Sequence, residues 1–581
     1  MKSLLIYMKD YKKECVLGPL FKLLEAGFDL TVPLVTAAII DNGIGGQDRG
    51  YIVRYGLVLI LLAVVGLVCS ITAQYFAAKA AVGFAAKLRL ALFGHIESLS
   101  FAEIDEIGTS TLITRMTSDI NQVQSGVNMA LRLFLRSPFI VFGAMIMAFF
   151  IDFQAALVFL VVIPLLAIVI FGIMAISMPL YKKVQGALDT VLGSTRENLT
   201  GVRVIRAFHR EKEEEAQFCE DNEFLTKSQL FVGKVSALTN PVTYVMINIA
   251  LVVLLWTSGI RINAGSLTSG NVIALINYLS QILVELIKLA NTIVLSNKAL
   301  ACAARVESVM EVKSSLELRN QFVEEAGGKV VFENVSMSYK GALEPSVSEV
   351  DFTANPGETI GIIGGTGSGK STLVNLIPRF YDVTQGCVKI DGQDVRDYSL
   401  EALRSRIGIV MQKAVLFKGS IRENLLWGNE NATEEELKEA LEISQSMEFV
   451  EKKENGMDSF VEQGGRNLSG GQRQRLTIAR ALVRKPEILI FDDSTSALDY
   501  ATDARLRSGL KNLSYHPTIF MVSQRTSSIR HADKIIVLED GEVIGMGTHD
   551  ELLKSCDVYA EIHYSQYQNE QEAKRGGTVL C

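Results

Sequence analysis

Long apolar runs, parted by amphipathic and basic stretches, fill roughly the first 300 residues, and short apolar runs alternating with helical patterns fill the rest. Six of the long runs approach the ~20 residues that a helix needs to cross bilayer hydrocarbon. They lie at about 15–41, 55–78, 134–151, 154–180, 240–262 and 271–296. The third is the weakest, because Arg132, Arg136 and Pro138 crowd its start. The third and fourth are joined by little more than Ile151–Gln154, which predicts a tight helical hairpin. From about Lys329 the period changes. Val330–Phe332, Glu358–Ile363, Val388–Asp391, Ile407–Val410, Ile488–Asp492, Thr518–Val522 and Lys534–Leu538 read as short strands with helical segments between many of them. That alternation is the pattern of a parallel-sheet α/β domain with a hairpin-rich edge. The expected organisation is a six-span helical membrane domain over 1–311, a linker over 312–328, an α/β domain over 329–565 and a polar tail over 566–581.

Basic residues orient the spans. Asp41–Gly50, Ile151–Gln154 and Arg261–Gly270 hold only Arg49 and Arg261. The long connections at about 79–133 and 181–235 hold many more, among them Lys79, Lys87, Arg89, Arg115, Lys182, Lys183, Arg196, Arg203, Arg206, Arg210 and Lys212. Those connections and both termini are expected on the cytoplasmic side of the cell membrane, the helical connections forming stalks that reach into the cytosol. Composition supports a membrane setting: 49% of residues are hydrophobic and 21% charged, with mean hydropathy +0.26. The net charge of −7 excludes a basic nucleic-acid binder as the simple reading. Cysteines at 15, 69, 219, 302, 387, 556 and 581 form no CxxC pair, so metal-site and disulfide-framework spacing is absent. The start, MKSLLIYMKDYKKEC, lacks the continuous apolar core and cleavage site of a signal peptide and reads as a short amphipathic helix at the membrane surface.

The chemistry lies in the second half. Gly364-Gly365-Thr366-Gly367-Ser368-Gly369-Lys370-Ser371 follows the strand Thr359–Ile363 and precedes the helical Thr372–Leu376, the Walker A pattern in its strand–loop–helix setting. Glycines let backbone N–H groups turn toward phosphate, and the helix start adds positive potential. Lys370 is placed to neutralise the β- and γ-phosphates of ATP, and the Ser371 hydroxyl to ligate Mg²⁺. Ile488–Asp492 gives four apolar residues ending in a carboxylate, the Walker B pattern, which delivers Asp492 to the Mg²⁺ sphere. Leu468-Ser469-Gly470-Gly471-Gln472 then opens an Arg-rich helix, a second helix start suited to phosphate.

That pentapeptide resembles the signature of the ATP-binding-cassette (ABC) family, and residues 329–565 resemble its ATPase throughout. The resemblance implies an adenine-stacking role for Tyr339, contact of Thr372 with nucleotide, a Q-loop at Gln412 near the metal and the reacting phosphate, and a D-loop at Ser496-Ala497-Leu498-Asp499. It also implies that the signature of one cassette closes over ATP held by another. Six spans with two long cytoplasmic loops, fused ahead of one cassette, match the ABC exporter type. Ala102–Val123 resembles its first coupling loop and Glu197–Phe208 its second.

The chain departs from that family where hydrolysis differs from binding. The residue after the Walker B Asp, normally Glu, is Asp493, and the switch position, normally His, is Gln524. One lost methylene withdraws the carboxylate by about 1 Å, a misplacement that can cost around a hundredfold in rate. Gln cannot take an imidazole's charge, so sensing of the γ-phosphate weakens too. Gln463 also falls where the exporter X-loop carries Glu. Impaired Walker-side groups beside an intact signature point to a heterodimer: a homologous half-transporter supplies the catalytic Glu and His, as in the bacterial multidrug exporters that the chain resembles. Drug-like amphipathic compounds are the expected cargo, with lipids or peptides, an importer on the same fold, or an ATP-gated channel as alternatives. Glu25, Asp29, Asn248, Asn277, Glu285 and Lys288 lie within or near the spans, where polar residues often face a cavity. The plainer reading pairs Glu285 with Lys288 at i,i+3 on one helix and lets the asparagines link helices.

Overall fold

The computed structural model describes residues 3–316 and 327–567, so most of the expected 312–328 linker and nearly all of the 566–581 tail lie outside the described residues. The chain forms two compact units, Met1–Glu97 with Thr109–Val312, and Ser98–Gly108 with Lys313–Cys581.

The first unit holds six helices long and apolar enough to cross a membrane: α1 (Leu4–Ile44), α2 (Arg49–Ser98), α3 (Thr109–Ile151), α4 (Phe153–Ala207), α5 (Glu211–Asn263) and α6 (Ser269–Met310). Each expected span falls within one of them. At 1.5 Å per residue the 55-residue α4 is about 80 Å long, well beyond the ~30 Å of a hydrocarbon core, so these helices carry the polar connections as continuous extensions. The N-terminal Leu4–Tyr11 is a 3₁₀ segment running directly into Lys12–Ala38.

Small residues let the helices approach closely, which is how spans associate where lipid is as apolar as leucine. Ala73, Ala77, Ala80, Ala81 and Ala85 are fully buried along α2, while Leu57, Ile60, Leu61, Leu67, Val68 and Ile71 of the same helix are exposed. Such outward apolar faces suit bilayer contact. Polar contacts lock the helix ends and middles: Gly270 N–H at the start of α6 donates to Asp41 Oδ1 at 2.8 Å, and the buried Tyr278 hydroxyl donates to the Leu30 carbonyl at 2.5 Å. The expected third span forms despite its crowded start. α3 is continuous through Arg132 and Arg136, with π-helical turns at Arg115–Asp119 and Ala130–Phe134, because Arg136 is buried against acidic partners on neighbouring helices.

The second unit is α/β. Its strands are β1 (Val330–Met337), β2 (Val347–Ala354), β3 (Thr359–Gly364), β4 (Gln385–Ile390), β5 (Gln393–Asp394), β6 (Ile407–Val410), β7 (Gly419–Ser420), β8 (Phe460–Val461), β9 (Ile488–Asp492), β10 (Thr518–Val522), β11 (Lys534–Glu539) and β12 (Glu542–Gly547). A six-stranded sheet runs β12-β11-β3-β10-β9-β6, with β12 antiparallel to its neighbour and every other pairing parallel. A four-stranded antiparallel sheet runs β2-β1-β4-β5. All seven expected strands form; β2 and β12, and the two-residue strands β5, β7 and β8, are additional. β9 and β10 are buried at every position, as a parallel sheet covered on both faces requires. The short helix Phe101–Ile107 belongs to this unit. Its Phe101 ring lies 4.6 Å from Phe380, Asp105 accepts a 2.6 Å hydrogen bond from the Tyr381 hydroxyl, and Glu106 pairs with Lys340 at 2.7 Å.

Candidate functional site

Three adjacent strands end together at the carboxyl edge of the six-stranded sheet, the edge where open α/β sheets bind ligands. Central β10 pairs with β3 on one side and β9 on the other, in register at Val522 with Ile362 and with Asp492. That register brings the loop after β3, the two carboxylates at the end of β9 and Gln524 after β10 to one place. The loop leads into α7 (Lys370–Leu376), whose N-cap is Gly369 at φ +90°. A side chain there would be strained, and a Cβ would meet the Ser346 carbonyl oxygen at 2.3 Å. At Gly364 a Cβ would meet the Leu538 carbonyl oxygen at 2.1 Å.

Lys370 is buried, with its ammonium donating to the Gly364 carbonyl at 3.1 Å, to Ser368 Oγ at 3.2 Å and to the Gly365 carbonyl. Ser371 Oγ donates to Asp492 Oδ1 at 2.7 Å. Gln412 Nε2 reaches Asp493 Oδ2 at 3.5 Å, the outer limit of a hydrogen bond. Burial holds the Lys370 ammonium below the usual lysine range. Burial also raises the Asp492 carboxyl, with the charge of Asp493 adding to the effect, and raises Asp493 itself. Asp493 sits at φ +43°, uncommon for a residue with a side chain, and its Oδ1 is buried with no hydrogen-bond partner. Half-exposed Tyr339 bonds through its hydroxyl to Thr372 Oγ1 at 3.1 Å and meets Tyr381 edge to face, ring centroids 5.2 Å apart. Thr366 and Gly367 are exposed on the loop crest with Gly365.

Ser469 caps α8 (Gly470–Val483) in a reciprocal capping box: Gln472 N–H donates to its Oγ at 3.3 Å, and Ser469 N–H donates to Gln472 Oε1 at 3.0 Å. Ser469 and Gly470 are exposed, and among the described residues no hydrogen bond or ion pair joins Ser469–Gln472 to Lys370, Ser371, Asp492 or Asp493. Asp499 caps α9 (Tyr500–Lys511), accepting from Thr502 N–H at 2.9 Å. Gln524 is exposed, its backbone carbonyl accepting from Gln566 Nε2 at 2.7 Å. Next to it, Arg525 donates to the Ser496 carbonyl at 3.2 Å and lies over the Tyr500 ring at 5.6 Å. Tyr381 and Arg525 were not legible as site neighbours, because nothing in their local sequence marks them.

Of the polar residues in the spans, Asn248 donates to the Tyr244 carbonyl of its own helix at 2.8 Å, and Asn277 is exposed. The other four join one ionic network with Lys22 and Arg136. The i,i+3 pair of Glu285 and Lys288 exists at 2.9 Å but is only one edge of that network.

Residues 15–286 match the family model of the ABC transporter transmembrane region, and residues 347–496 match that of the ABC transporter. The chain belongs to the ABC transporter family. It is 38% identical over 566 residues to an uncharacterized ABC transporter ATP-binding protein of Mycobacterium tuberculosis strain H37Rv, covering 96% of this chain and 97% of the relative. It is 29% identical over 558 residues to the ATP-dependent lipid A-core flippase of Escherichia coli strain K12, covering 96% of each. A solved structure of a bacterial Atm1-family ABC exporter with ATP bound shares the fold at a TM-score of 0.78 and 22% identity, over 95% of this chain and 97% of the other. This ABC transporter is thus a multi-pass membrane protein of the exporter fold, a helical membrane domain with six apolar helices followed by an α/β nucleotide-binding domain. Its second unit carries the ABC ATPase domain by which this family couples ATP hydrolysis to transport.

Proposed function

We propose that this chain is the degenerate-site half of a heterodimeric exporter of amphipathic compounds in the cell membrane, with both termini cytoplasmic. The observation that carries the reading is the pair Asp493 and Gln524, which stand where a competent cassette has Glu and His. Lys370 would exchange its bonds to the loop carbonyls for the β- and γ-phosphates of ATP, and Tyr339 would stack on adenine. Ser371 Oγ and Asp492 Oδ1, two hard oxygens 2.7 Å apart, suit Mg²⁺, with Gln412 beside them. When bound, the ion would neutralise charge on those phosphates. Asp493, a methylene short, orients water poorly, so ATP here acts as a long-lived clamp. Ser469–Gln472, facing outward, would complete a second site on the Walker residues of a homologous partner, where most turnover occurs.

Ala102–Val123 and Glu197–Phe208 are the coupling loops in this scheme, and the bias of basic residues toward the long connections supports their cytoplasmic placement. The likeness to a lipid A-core flippase adds lipids to the cargo to be tested. The decisive measurement is ATPase activity of the assembled pair with Asp493→Asn here, against Glu→Gln at the matching position of the partner. The partner change should abolish most turnover and Asp493→Asn should alter it less than twofold; equal losses would sink the asymmetric scheme.

A further inference from the structure

Three helices of the membrane unit place six charged side chains in one connected layer. Arg136 of α3 donates through one guanidinium nitrogen to Glu285 of α6 at 2.6 Å and through another to Asp29 of α1 at 2.8 Å. Glu285 also accepts from Ser137 at 2.8 Å and from Lys288 at 2.9 Å. Lys22 pairs with Glu25 at 2.5 Å, and Glu25 lies 3.9 Å from Arg136. Three cations and three carboxylates leave the layer formally neutral. Asp29, Arg136 and Glu285 each lie about 22–24 Å along their helices from Ile44, Ile151 and Ser269, at 1.5 Å per residue. A ~30 Å hydrocarbon core measured from those ends contains every member of the layer but Lys22, near its far side.

Ionisable groups at that depth are costly and usually serve a function. Helix pinning alone would need only the buried centre, Arg136 and Glu285, whose side chains are 10% and 5% exposed. The two ends of the network behave differently. Asp29 and Lys288 are each 43% exposed, opposite in sign, and each bonds to a single side chain of the network. Their charges lie no more than about 11 Å apart, the reach of the three linking bonds across one planar guanidinium. One turn from Glu285, Gln281 Oε1 is buried and has no hydrogen-bond partner. Val32, one turn after Asp29 on α1, and Val284, one turn before Lys288 on α6, expose apolar surface.

We propose that Asp29 and Lys288 form a recognition site for the zwitterionic head group of an amphiphile, the ammonium on Asp29 and the phosphate or carboxylate on Lys288. The buried Arg136–Glu285 pair fixes the spacing of the two charges, and the exposed apolar residues take the tail. A cation alone would leave Lys288 unmatched, and an anion alone would leave Asp29 so; a zwitterion uses both. The proposal names the cargo of the exporter and does not depend on which cassette turns over ATP.

The test uses the full transporter in proteoliposomes and three amphiphiles with one dodecyl tail, kept below micelle-forming concentrations: dodecylphosphocholine, dodecyltrimethylammonium and dodecyl sulfate. The wild type should bind tritiated dodecylphosphocholine at least tenfold more tightly than either singly charged compound competes for it. Asp29→Asn should erase the preference over dodecyl sulfate, and Lys288→Gln the preference over dodecyltrimethylammonium. Asn248→Ala, outside the network, should change neither. Nucleotide binding by each variant shows that it is folded. Translocation of a fluorescent phosphatidylcholine, against uptake of tail-less glycerophosphocholine, separates a bilayer lipid from a soluble zwitterion as the source. Absence of head-group preference in the wild type, a preference that survives both substitutions, or movement of neither zwitterion overturns the proposal. Loss of all ATP-driven transport in the wild type would instead count against the exporter reading itself.

Discussion

The cassette contains two helix starts that its sequence marks for phosphate, and they are built in opposite ways. α7 begins at a left-handed glycine with no capping side chain, and its first residue, Lys370, is buried among carbonyls of its own loop. Strands β3, β9 and β10 surround it with this chain's own carboxylates. α8 begins at exposed Ser469, its first turn closed by a capping box and free of any ionic neighbour from the Walker loop. The first is a site that one chain assembles for itself. The second is a finished surface whose chemistry waits for another. A chain can therefore lose hydrolytic groups at the first without damaging the second.

Four variants would break or sharpen that contrast. Lys370→Ala should weaken binding of a fluorescent ATP analogue to this chain at least about thirtyfold, since removing one partner of a buried charge contact costs about 2–5 kcal/mol. Unchanged affinity would deny the inward site. Gly470→Asp puts a carboxylate on the outward helix start, where a Cβ meets nothing within 4 Å. It should cut ATPase activity of the assembled transporter by roughly tenfold to fiftyfold through repulsion of phosphate, with azido-ATP labelling of this chain unchanged within about twofold. Parallel losses would merge the two helix starts into one site. Asp493→Glu with Gln524→His should raise single-turnover hydrolysis at this chain's own site about tenfold, part of what a misplaced base costs. Tyr381→Phe keeps the ring against Tyr339 but removes the hydrogen bond to Asp105. It should lower stability of the second unit by about 1 kcal/mol, read as a small drop in melting temperature, with little change in nucleotide affinity.

Much of the architecture was legible because it is written locally. Six apolar runs gave six helices, and β9 and β10 are short apolar runs buried at every position. The strand–loop–helix around Lys370 was legible from its glycines, two of which the backbone cannot replace. β2 escaped because Ser348, Glu349, Asp351 and Thr353 dilute its apolar positions, and β12 because it is an exposed edge strand with two glycines. The role of Arg136 was illegible for a different reason. Its partners are 107 and 149 residues away, so a charge that looks hostile to a span in one dimension is matched in three. Tyr381 likewise acquires meaning only when folding sets it between Tyr339 and Asp105.

One small joint governs how this protein can be made. Asp152 alone separates α3 from α4, with its Oδ1 accepting from Ala155 N–H at 2.8 Å and its Oδ2 held by Arg261 at 2.6 Å. A single residue cannot let two helices enter a bilayer at different times, so the two spans must insert as one hairpin. The Arg261 contact then ties that hairpin to the end of α5, a segment synthesised about a hundred residues later. Until then Asp152 lacks the Arg261 cation, which makes arrival of α5 the step that seals this corner. Lengthening this joint, even by a few polar residues, would separate the two insertions and cost the protein its assembly order before it cost any transport chemistry.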